Sequence, residues 1–591
     1  MAETTTSPLV VGNCSGFYGD RLSAMREMLE GGPLDVLTGD YLAELTMLIL
    51  GKDTLKDPSG GYAKTFVRQA EDCLGLALER GVRIVANAGG LNPAGLAERL
   101  REVATGLGLD PRIAYVAGDD VRGLAAELGL SRAALTANAY LGGFGIARAL
   151  QDGADVVVTG RVTDASLVVG PAAAHHGWAY DDLDQLAGAV VAGHVLECGT
   201  QATGGNFSGF RGLPDGLQPL GFPIAEIAAD GSSVITKHPG TGGAVTVDTV
   251  TAQLMYEIQG QHYLGPDVTT DLTSIRLTQQ GEDRVAVTGV RGTPPPSRLK
   301  VCVNELGGYR NSVEFVLTGL EIDAKAAWIK AQVEAAVDRD ALTALDWSTY
   351  RVPEPDSPTE EGASCLLRLS VQALTADPVG KDLTAPVIEL ALGTYPGFHV
   401  TAPPARPTPF GYYTAAYVDR AAVSHTVVRL RGDADAEVVP DPTTFAEPAD
   451  VMPQRPAPQP APAEVVTRRA PLGSFVHARS GDKGGDANLG LWVAQGVSTS
   501  STSSTYADDL RERRAAWLAK LITPEKVREL VPEAAALDVE VHPLPNLGGV
   551  NVLIRGLLGR GVAASTRFDP QAKGLGEWVR SRLVNIQEDL L

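Results

Sequence analysis

The sequence contains few cysteines, and their spacing does not indicate a disulfide framework or a zinc ribbon. The five cysteines lie far apart and never form a CxxC pair: Cys14, Cys73, Cys198, Cys302 and Cys365. Small disulfide-rich domains and zinc ribbons both need closely spaced cysteines, and an odd number cannot pair completely. We therefore expect a reduced compartment.

Basic charge is also scarce. The chain has 50 Lys and Arg residues against 71 Asp and Glu, a formal net charge of -21, and the acidic residues are spread along its length. This balance disfavours nucleic acid and anionic membranes as partners, so an anionic substrate must meet a local group of cations or helix N-termini. The apolar runs end before 18 residues, and the first ten residues lack the basic start and apolar core of a signal peptide. We expect a cytoplasmic protein.

Several cofactor and nucleophile motifs are missing. GGFG at 142–145 lacks the GxGxxG spacing of dinucleotide-binding folds, and KHPGTGG at 237–243 lacks the GK[ST] order of a Walker A loop. There is no GxSxG nucleophile elbow. The sequence therefore makes no case for NAD, ATP or serine-hydrolase chemistry, and we predict no cofactor.

The chain alternates strand-like and helix-like segments over its first 170 residues. Five β-rich runs each precede a segment of helical composition: LVVGN, LDVLTGD, VRIVANAGG, RIAYVAGDD and ADVVVTG. Apolar strands joined by helical crossovers need both sheet faces covered. The pattern predicts an α/β fold with a doubly wound, mostly parallel sheet in the N-terminal domain.

We expect four segments, because 591 residues are too many for one hydrophobic core. They are an N-terminal α/β domain with the candidate site (1–297), a second α/β unit (298–450), a Pro/Ala-rich linker (451–470) and a small C-terminal α/β sandwich (471–591). In the second unit, RLKVCVNELGGY and NSVEFVLTGLEI are predicted as separate strands. In the last segment we predict a strand, a Gly-rich loop and a strand, a mobile Ser/Thr-rich loop near 497–505, and a final helix near 571–588.

Five polar, Gly-rich turns follow the predicted strands, at 12–21, 38–44, 87–93, 117–120 and 159–166. In an open parallel sheet, strand ends of this kind lie along one edge, where ligands bind. Helix capping explains any single turn equally well, for example by Asp40 or Asp164. Five turns on one edge favour a ligand site, with these candidates: Asp20, Arg21, Asp40, Asn87, Gly89, Gly90, Arg161 and Asp164.

The turn TGRVTDAS carries two charges of opposite sign. Arg161 can contact a carboxylate or phosphate through two hydrogen bonds, and Asp164 can act as an acid or base or cap the next helix. Asp20 and Arg21 form a similar pair. Such pairs suit an anionic substrate that undergoes proton transfer, although a structural Asp/Arg pair explains them equally well.

His194, Glu197 and Cys198 share one face of a predicted helix that ends at Gly199. A helix C-terminus disfavours a thiolate at Cys198, and no further ligand stands at a recognisable zinc spacing, so we predict no metal ligand. We favour a general-base role for Glu197 or His194 beside the loop TGGN, which contributes Gly204, Gly205 and Asn206. The structural alternative is a core histidine with satisfied hydrogen bonds.

Two Gly-rich loops also contain a lysine. KHPGTGG offers Lys237 and Gly242, and SGDKGGDAN offers Lys483 between two aspartates. Backbone amides and an ammonium group can together hold a phosphate or carboxylate. Either loop can equally be a tight turn.

These motifs resemble a known family. GNCSGFYGDR, LTGDYLAELTM, NAGGLNP, YLGGFGIARAL, GADVVVTGRVTDASL, GHVLECGTQATGGNF and HPGTGGAVTVDTVTAQLMYEI resemble the acyclic terpene utilization AtuA family, and FVHARSGDKGGDANLGLWV resembles its fused C-terminal domain. The resemblance covers nearly the whole chain. It implies a role in the catabolism of acyclic terpenes and branched acyl-CoA compounds, as a lyase on a thioester like 3-hydroxy-3-methylglutaryl-CoA.

The leading hypothesis is therefore a lyase or hydratase acting on an acyl thioester or related carboxylate, with a coenzyme A thioester as substrate. Arg161 and Lys237 would orient anionic groups, and Asp164, Glu197 or His194 would move the proton. One alternative is a non-catalytic acyl-CoA-binding or scaffold subunit. Another is a metal-dependent hydrolase centred on His194 and Glu197. We also expect a homo-oligomer.

Overall fold

The computed structural model describes residues 7–214, 219–430, 435–447, 466–495 and 504–591. It forms two compact units: Met1–Asn304, Tyr413–Val562 and Gln571–Leu591 make the first, and Glu305–Tyr412 with Ala563–Pro570 make the second. Segment 298–450 thus contributes to both units. Residues 451–465 of the predicted linker and 496–503 of the Ser/Thr-rich stretch lie outside the described residues. No helix within the described ranges has the length and apolar character needed to cross a membrane.

The strands are β1 (Leu9–Asn13), β2 (Val36–Gly39), β3 (Arg83–Ala86), β4 (Ile113–Ala117), β5 (Ala134–Ala139), β6 (Val156–Thr159), β7 (Pro223–Ile227), β8 (Ser233–Lys237), β9 (His262–Leu264), β10 (Thr269–Asp271), β11 (Arg276–Gly281), β12 (Arg284–Thr288), β13 (Arg291–Thr293), β14 (Arg298–Thr318), β15 (Ala344–Tyr350), β16 (Ser364–Ala373), β17 (His399–Val400), β18 (Thr408–Asp419), β19 (Thr426–Arg429), β20 (Asp435–Val438), β21 (Thr467–Pro471), β22 (Val476–Lys483), β23 (Asp486–Val493), β24 (Val539–Leu544), β25 (Gly549–Ile554) and β26 (Leu583–Gln587).

The helices are α1 (Ala24–Gly31), α2 (Glu44–Thr54), α3 (Lys64–Glu79), α4 (Pro93–Gly106), α5 (Phe144–Gln151), α6 (Ser166–His176), α7 (Leu183–Leu196), α8 (Val247–Leu254), α9 (Ile322–Ala336), α10 (Lys381–Glu389), α11 (Ser504–Leu521), α12 (Pro524–Leu530) and α13 (Leu575–Ser581).

A mixed sheet of 11 strands forms the centre of the first unit, in the order β11-β12-β8-β7-β1-β2-β3-β6-β4-β19-β20. The five predicted strands, β1, β2, β3, β6 and β4, are adjacent and parallel. This confirms the α/β class and the parallel arrangement. Antiparallel strands extend both edges of the sheet. The sequence does not indicate that these strands join the sheet, because pairing between distant segments leaves no local periodicity.

Both faces of the sheet are covered, as the doubly wound prediction requires. Val11, Val36 and Val85 pack in one apolar cluster with α5, α6, α7 and α8. Leu37 and Ile84 pack in a second cluster with α1, α3 and α4. Strands buried on both faces have to be apolar at nearly every position, which explains the continuous apolar runs.

The C-terminal segment contains the antiparallel sheet β22-β23-β25-β24, flanked by α11, α12 and α13. The predicted strand, Gly-rich loop and strand are the hairpin β22–β23. The predicted final helix near 571–588 is wrong in its extent. It covers only Leu575–Ser581 and gives way to β26, whose buried Val584 and Ile586 alternate with exposed residues as the strand pairs with β21.

The second unit contains the antiparallel sheet β15-β16-β14-β17 with α9 and α10 packed in its core. The two strands predicted around Gly307 and Gly308 are one continuous strand, β14. Gly308 has φ 120°, and a Cβ there would lie 2.2 Å from the carbonyl oxygen of Ala373. The glycine pair therefore permits close approach to a neighbouring chain segment and does not end the strand.

Candidate functional site

Two of the predicted turns meet at the carboxyl edge of the parallel sheet. Asn87, which follows β3, donates from Nδ2 to Oδ1 of Asp40 at 2.6 Å, and Asp40 follows β2. The backbone amides of Leu42 and Tyr41 donate to Asp40 and Asn87 at 3.0 and 2.7 Å. Burial raises the pKa of Asp40 well above its ordinary value, and the negative charge of Asp164 raises it further. The Asp40 carboxyl therefore readily holds a proton.

The predicted pair of Arg161 and Asp164 also lies at this edge, directly after β6. Nη1 of Arg161 donates to Oδ1 of Asp164 at 2.7 Å, and the guanidinium lies 4.3 Å from the ring centroid of Tyr140. Burial would lower the pKa of Arg161, but the neighbouring carboxylates raise it well above the ordinary value. Nε of Arg161 is buried and has no hydrogen-bond partner among the described residues. This cation is therefore fixed and permanently charged.

His194 and Glu197 form a buried pair where α7 ends. Nδ1 of His194 lies 2.9 Å from Oε1 of Glu197, as the predicted helical spacing implies. The outer atoms, Nε2 of His194 and Oε2 of Glu197, are buried and have no hydrogen-bond partner within the described ranges. Burial raises the pKa of Glu197; His194 opposes this, and the charges of Asp164 and Glu257 reinforce it. A paired histidine and carboxyl group with a raised pKa suits acid/base chemistry.

The third residue of that helix face, Cys198, does not provide a nucleophile. Burial and the negative charges of Glu257 and Glu197 raise its pKa well above the ordinary value, so the thiol stays protonated. Among the residues that the structure describes, no three His, Cys, Asp or Glu side chains are arranged to hold a metal ion.

The glycines of the turn after β3 permit close packing. Gly89 donates its amide to the Thr159 carbonyl at 3.0 Å, and a Cβ at Gly89 would lie 2.5 Å from that oxygen. Gly90 has φ 53°, and a Cβ there would lie 2.7 Å from the carbonyl oxygen of Gly61. Both glycines therefore bring the turn close to its neighbours at the sheet edge.

The loop TGGN directly follows the short 3-10 turn after Glu197. Gly204 and Asn206 both have positive φ, at 119° and 56°, and the amide of Gly205 donates to the Thr200 carbonyl at 2.9 Å. The carbonyl of Asn206 accepts a hydrogen bond from Arg479 at 3.1 Å. The loop is thus held by its own backbone and by a side chain from the C-terminal segment.

Asp20 and Arg21 have local structural partners. Asp20 accepts the amides of Gly16 and Arg21, both at 2.9 Å, and so closes its own turn. Arg21 pairs with Glu27 at 2.7 Å and donates to the Leu220 carbonyl at 2.7 Å. These contacts fit the structural reading of the pair.

Lys237 and Gly242 are also bound locally. Nζ of Lys237 donates to the Thr241 carbonyl and pairs with Asp283, both at 2.9 Å. The amide of Gly242 donates to the Pro219 carbonyl at 2.9 Å. Within the part of the chain that the structure describes, neither group contacts the carboxylates and cations around Arg161.

A second ion pair lies near Arg161, and the sequence analysis did not predict it. Nζ of Lys300 lies 3.5 Å from Oε1 of Glu44, and the hydroxyl of Tyr140 donates to the same oxygen at 3.3 Å. Burial would raise the pKa of Glu44, but Lys300, Lys483 and Arg161 lower it to about 2. The turn at 38–44 gave a sequence signal for this region. Lys300 gave none, because it is one residue in an otherwise ordinary strand.

The predicted candidate Lys483 belongs to this group although it lies in the C-terminal hairpin. Burial would lower its pKa, but the negative charges of Glu257, Glu44, Glu197 and Asp164 raise it. Glu257 had no sequence signal. We call the following residues the charged cluster: Asp40, Glu44, Arg161, Asp164, His194, Glu197, Glu257, Lys300, Asp482 and Lys483.

The fold and the charged cluster together define an α/β protein with acid/base groups and cations gathered at the carboxyl edge of a parallel sheet. Comparison with protein families shows which family the chain belongs to. The family described as acyclic terpene utilisation family protein AtuA matches residues 9–429, and the AtuA ferredoxin-like domain matches 470–585. The chain therefore belongs to the AtuA family, which confirms the predicted resemblance and links the chain to acyclic terpene utilisation. No curated protein sequence matches the chain.

Proposed function

We propose that this protein is a lyase or hydratase that acts on an acyl thioester or a related carboxylate in acyclic terpene or branched acyl-CoA metabolism. Family membership supports the metabolic setting. The pair of His194 and Glu197 supports the chemistry, because lyases and hydratases of this kind need a group that moves a proton beside a carbonyl.

The observation that carries the proposal is the unpaired outer side of this pair. Buried polar atoms are almost always hydrogen-bonded, yet Nε2 of His194 and Oε2 of Glu197 lack partners among the described residues. Both atoms are therefore free to contact a ligand. Glu197 exchanges the proton with the substrate, since burial raises its pKa above the ordinary value of a carboxyl group, and His194 holds the carboxyl through Nδ1.

Arg161 supplies the charge that an anionic substrate needs. Its guanidinium is fixed by Asp164 and by the face of Tyr140, and its Nε lacks a partner among the described residues. A fixed cation stabilises negative charge that develops on a thioester or carboxylate oxygen when the neighbouring carbon loses a proton. Asp164 keeps the guanidinium in place and is itself partly exposed, with a side-chain exposure of 25%.

The test uses the full chain and coenzyme A thioesters of 3-hydroxy acids, beginning with 3-hydroxy-3-methylglutaryl-CoA, together with the free acids. Mass spectrometry of the products distinguishes cleavage from dehydration. We expect Glu197→Gln to lower kcat by about 100-fold or more and His194→Asn to lower it by a similar factor. Glu102→Gln, in the exposed pair with Arg99, is the matched control and should leave kcat unchanged.

The outcomes separate the proposal from its alternative. If wild-type protein binds these thioesters with no turnover, the non-catalytic acyl-CoA-binding subunit is the better description. If turnover occurs and survives both substitutions, the proton is moved by other groups and the role of the His194–Glu197 pair is wrong.

A further inference from the structure

The hairpin β22–β23 of the C-terminal segment packs against two tyrosines that border the charged cluster. A Cβ at Gly481 would lie 2.3 Å from Cε2 of Tyr256, and a Cβ at Gly484 would lie 2.6 Å from Cε1 of Tyr413. Tyr413 in turn lies beside Lys300, whose Nζ is 5.8 Å from its ring centroid. Glycines at both positions therefore let the hairpin approach these rings. Asp482 and Lys483 lie between these two glycines in the sequence.

The strand β22 also holds the loop that follows the His194–Glu197 pair. Arg479 is 5% exposed and donates from Nη1 to the carbonyl of Asn206 at 3.1 Å. The same guanidinium hydrogen-bonds to the side chain of Gln201 and lies 4.3 Å from the ring centroid of Tyr256. Through Arg479, the C-terminal segment thus holds the loop TGGN close to the hairpin.

The other strand of the hairpin fixes Glu257. This residue has φ 57°, a left-handed conformation that is unfavourable for a side chain with a Cβ. Its amide donates to Oδ1 of Asn488 on β23 at 2.8 Å, and Asn551 on β25 donates to the next carbonyl, that of Ile258, at 3.3 Å. The C-terminal sheet therefore holds the backbone of Glu257, a member of the charged cluster, in a conformation that it would otherwise avoid.

We infer that the C-terminal ferredoxin-like domain completes the site, with Lys483 as the cationic ligand for an anionic oxygen of the substrate, a carboxylate or the oxygen of an enolised thioester. This inference rests on the proposed function. The charge distribution supports it, because Glu44, Asp164, Glu197 and Glu257 would together repel an anion. Lys483, which the C-terminal hairpin contributes, offsets this repulsion. Its ammonium group can donate a charge-assisted hydrogen bond to a carboxylate.

One experiment tests the placement of Lys483 without any substrate. The full chain is acetylated with an amine-reactive reagent, and mass spectrometry follows each lysine over time. Lys483 should react about tenfold or more slowly than the exposed Lys520 of the same domain, because it is partly buried and the neighbouring carboxylates raise its pKa. Glu257→Gln should increase the rate at Lys483, since loss of the carboxylate lowers the pKa of the ammonium group.

The control variant is Glu512→Gln, which removes an exposed carboxylate. An equal rate at both lysines, or no response to Glu257→Gln, overturns the inference.

A second experiment tests the ligand role with 3-hydroxy-3-methylglutaryl-CoA as the probe. Lys483→Met should raise KM, and the Kd measured by calorimetry, by about 10- to 100-fold, whereas Lys520→Met should change neither. Turnover by wild type with unchanged KM and kcat in Lys483→Met overturns the inference and leaves the proposed function standing. If wild type neither binds nor converts this thioester or the others above, the proposed function and the ligand role both fail. The acetylation rates then still decide whether the domain lines the cluster.

Discussion

Nη1 of Arg161 lies 2.7 Å from Oδ1 of Asp164, in an ion pair whose arginine side chain is only 3% exposed. Glu44 also acts on this guanidinium through its negative charge, and so does Asp40 when it is ionised. A buried cation with several carboxylate neighbours does not depend on any one of them for its charge. Its position, however, depends on Asp164, the carboxylate with the direct hydrogen bond.

Asp164→Asn should therefore lower the free energy of unfolding by about 1–3 kcal/mol, because the charge-assisted hydrogen bond is lost while Glu44 still compensates the cation. Urea unfolding measures the change. Glu102→Gln, in the exposed pair with Arg99, should cost at most about 1 kcal/mol. Equal costs for the two substitutions would show that burial adds nothing to the Arg161 pair.

The pH dependence of stability should reveal Asp482. Burial, reinforced by the charges of Glu257 and Glu44, raises its pKa from 3.8 to about 7. The native state thus keeps a proton that the unfolded state has released, so this group makes the fold less stable as pH rises from about 4 to about 7. Asn cannot ionise, and Asp482→Asn should gain stability relative to wild type between pH 5 and pH 8.

Thermal unfolding of both proteins at the two pH values measures this difference in Tm. Asp538→Asn, an exposed position in the same domain, is the control and should show no such trend. A relative loss of stability for Asp482→Asn at high pH would contradict the raised pKa.

Glu44 and Lys300 should be energetically coupled. Glu44→Gln should cost about 1–3 kcal/mol, because it leaves a largely enclosed ammonium group without its nearest counter-charge. The double variant Glu44→Gln with Lys300→Met should cost less than the sum of the two single changes. Urea unfolding of the four proteins gives the coupling energy, and strictly additive costs would mean that the 3.5 Å contact contributes nothing.

The contact between Gly481 and Tyr256 should be intolerant of a side chain. Gly481→Ala places a Cβ 2.3 Å from the ring and should cost about 1–3 kcal/mol of stability. Gly212→Ala has no atom within 4 Å of the new Cβ and should change stability by about 0.5 kcal/mol or less. Thermal or urea unfolding compares them. Tolerance at Gly481 equal to that at Gly212 would argue against the close approach of hairpin and ring.

Lys237 should prove structural. Its side chain is 4% exposed and pairs with Asp283 at 2.9 Å, so Lys237→Met should lower stability by about 1–3 kcal/mol while KM for the thioester stays unchanged. Steady-state kinetics at a temperature well below the lowered Tm separates the two effects. A raised KM would instead support the substrate-orienting role that the Gly-rich loop suggested.

Local patterns predicted much of the fold and part of the site. The five parallel strands have apolar runs closed by Gly- and Asp-rich turns, and these features lie within a few residues of each other. The pairs Arg161–Asp164 and His194–Glu197 were visible because both have a spacing of three residues. The sequence did not reveal the full length of β14, which continues through a glycine pair because it is paired with other strands of its sheet. It did not reveal β26 either, because pairing with the distant β21 replaces the helix that the local pattern predicts.

The sequence by itself determined which short segments present charged and polar groups at strand and helix ends, because those signals are local. It could not distinguish Lys237 from Lys483, which occupy Gly-rich loops of the same kind. Only the tertiary structure separates them, since Asp283 pairs with Lys237, whereas the negative charges of Glu257, Glu44 and Glu197 raise the pKa of Lys483. Electrostatic neighbours depend on distances in space, and these bring together residues that lie hundreds of positions apart in the chain.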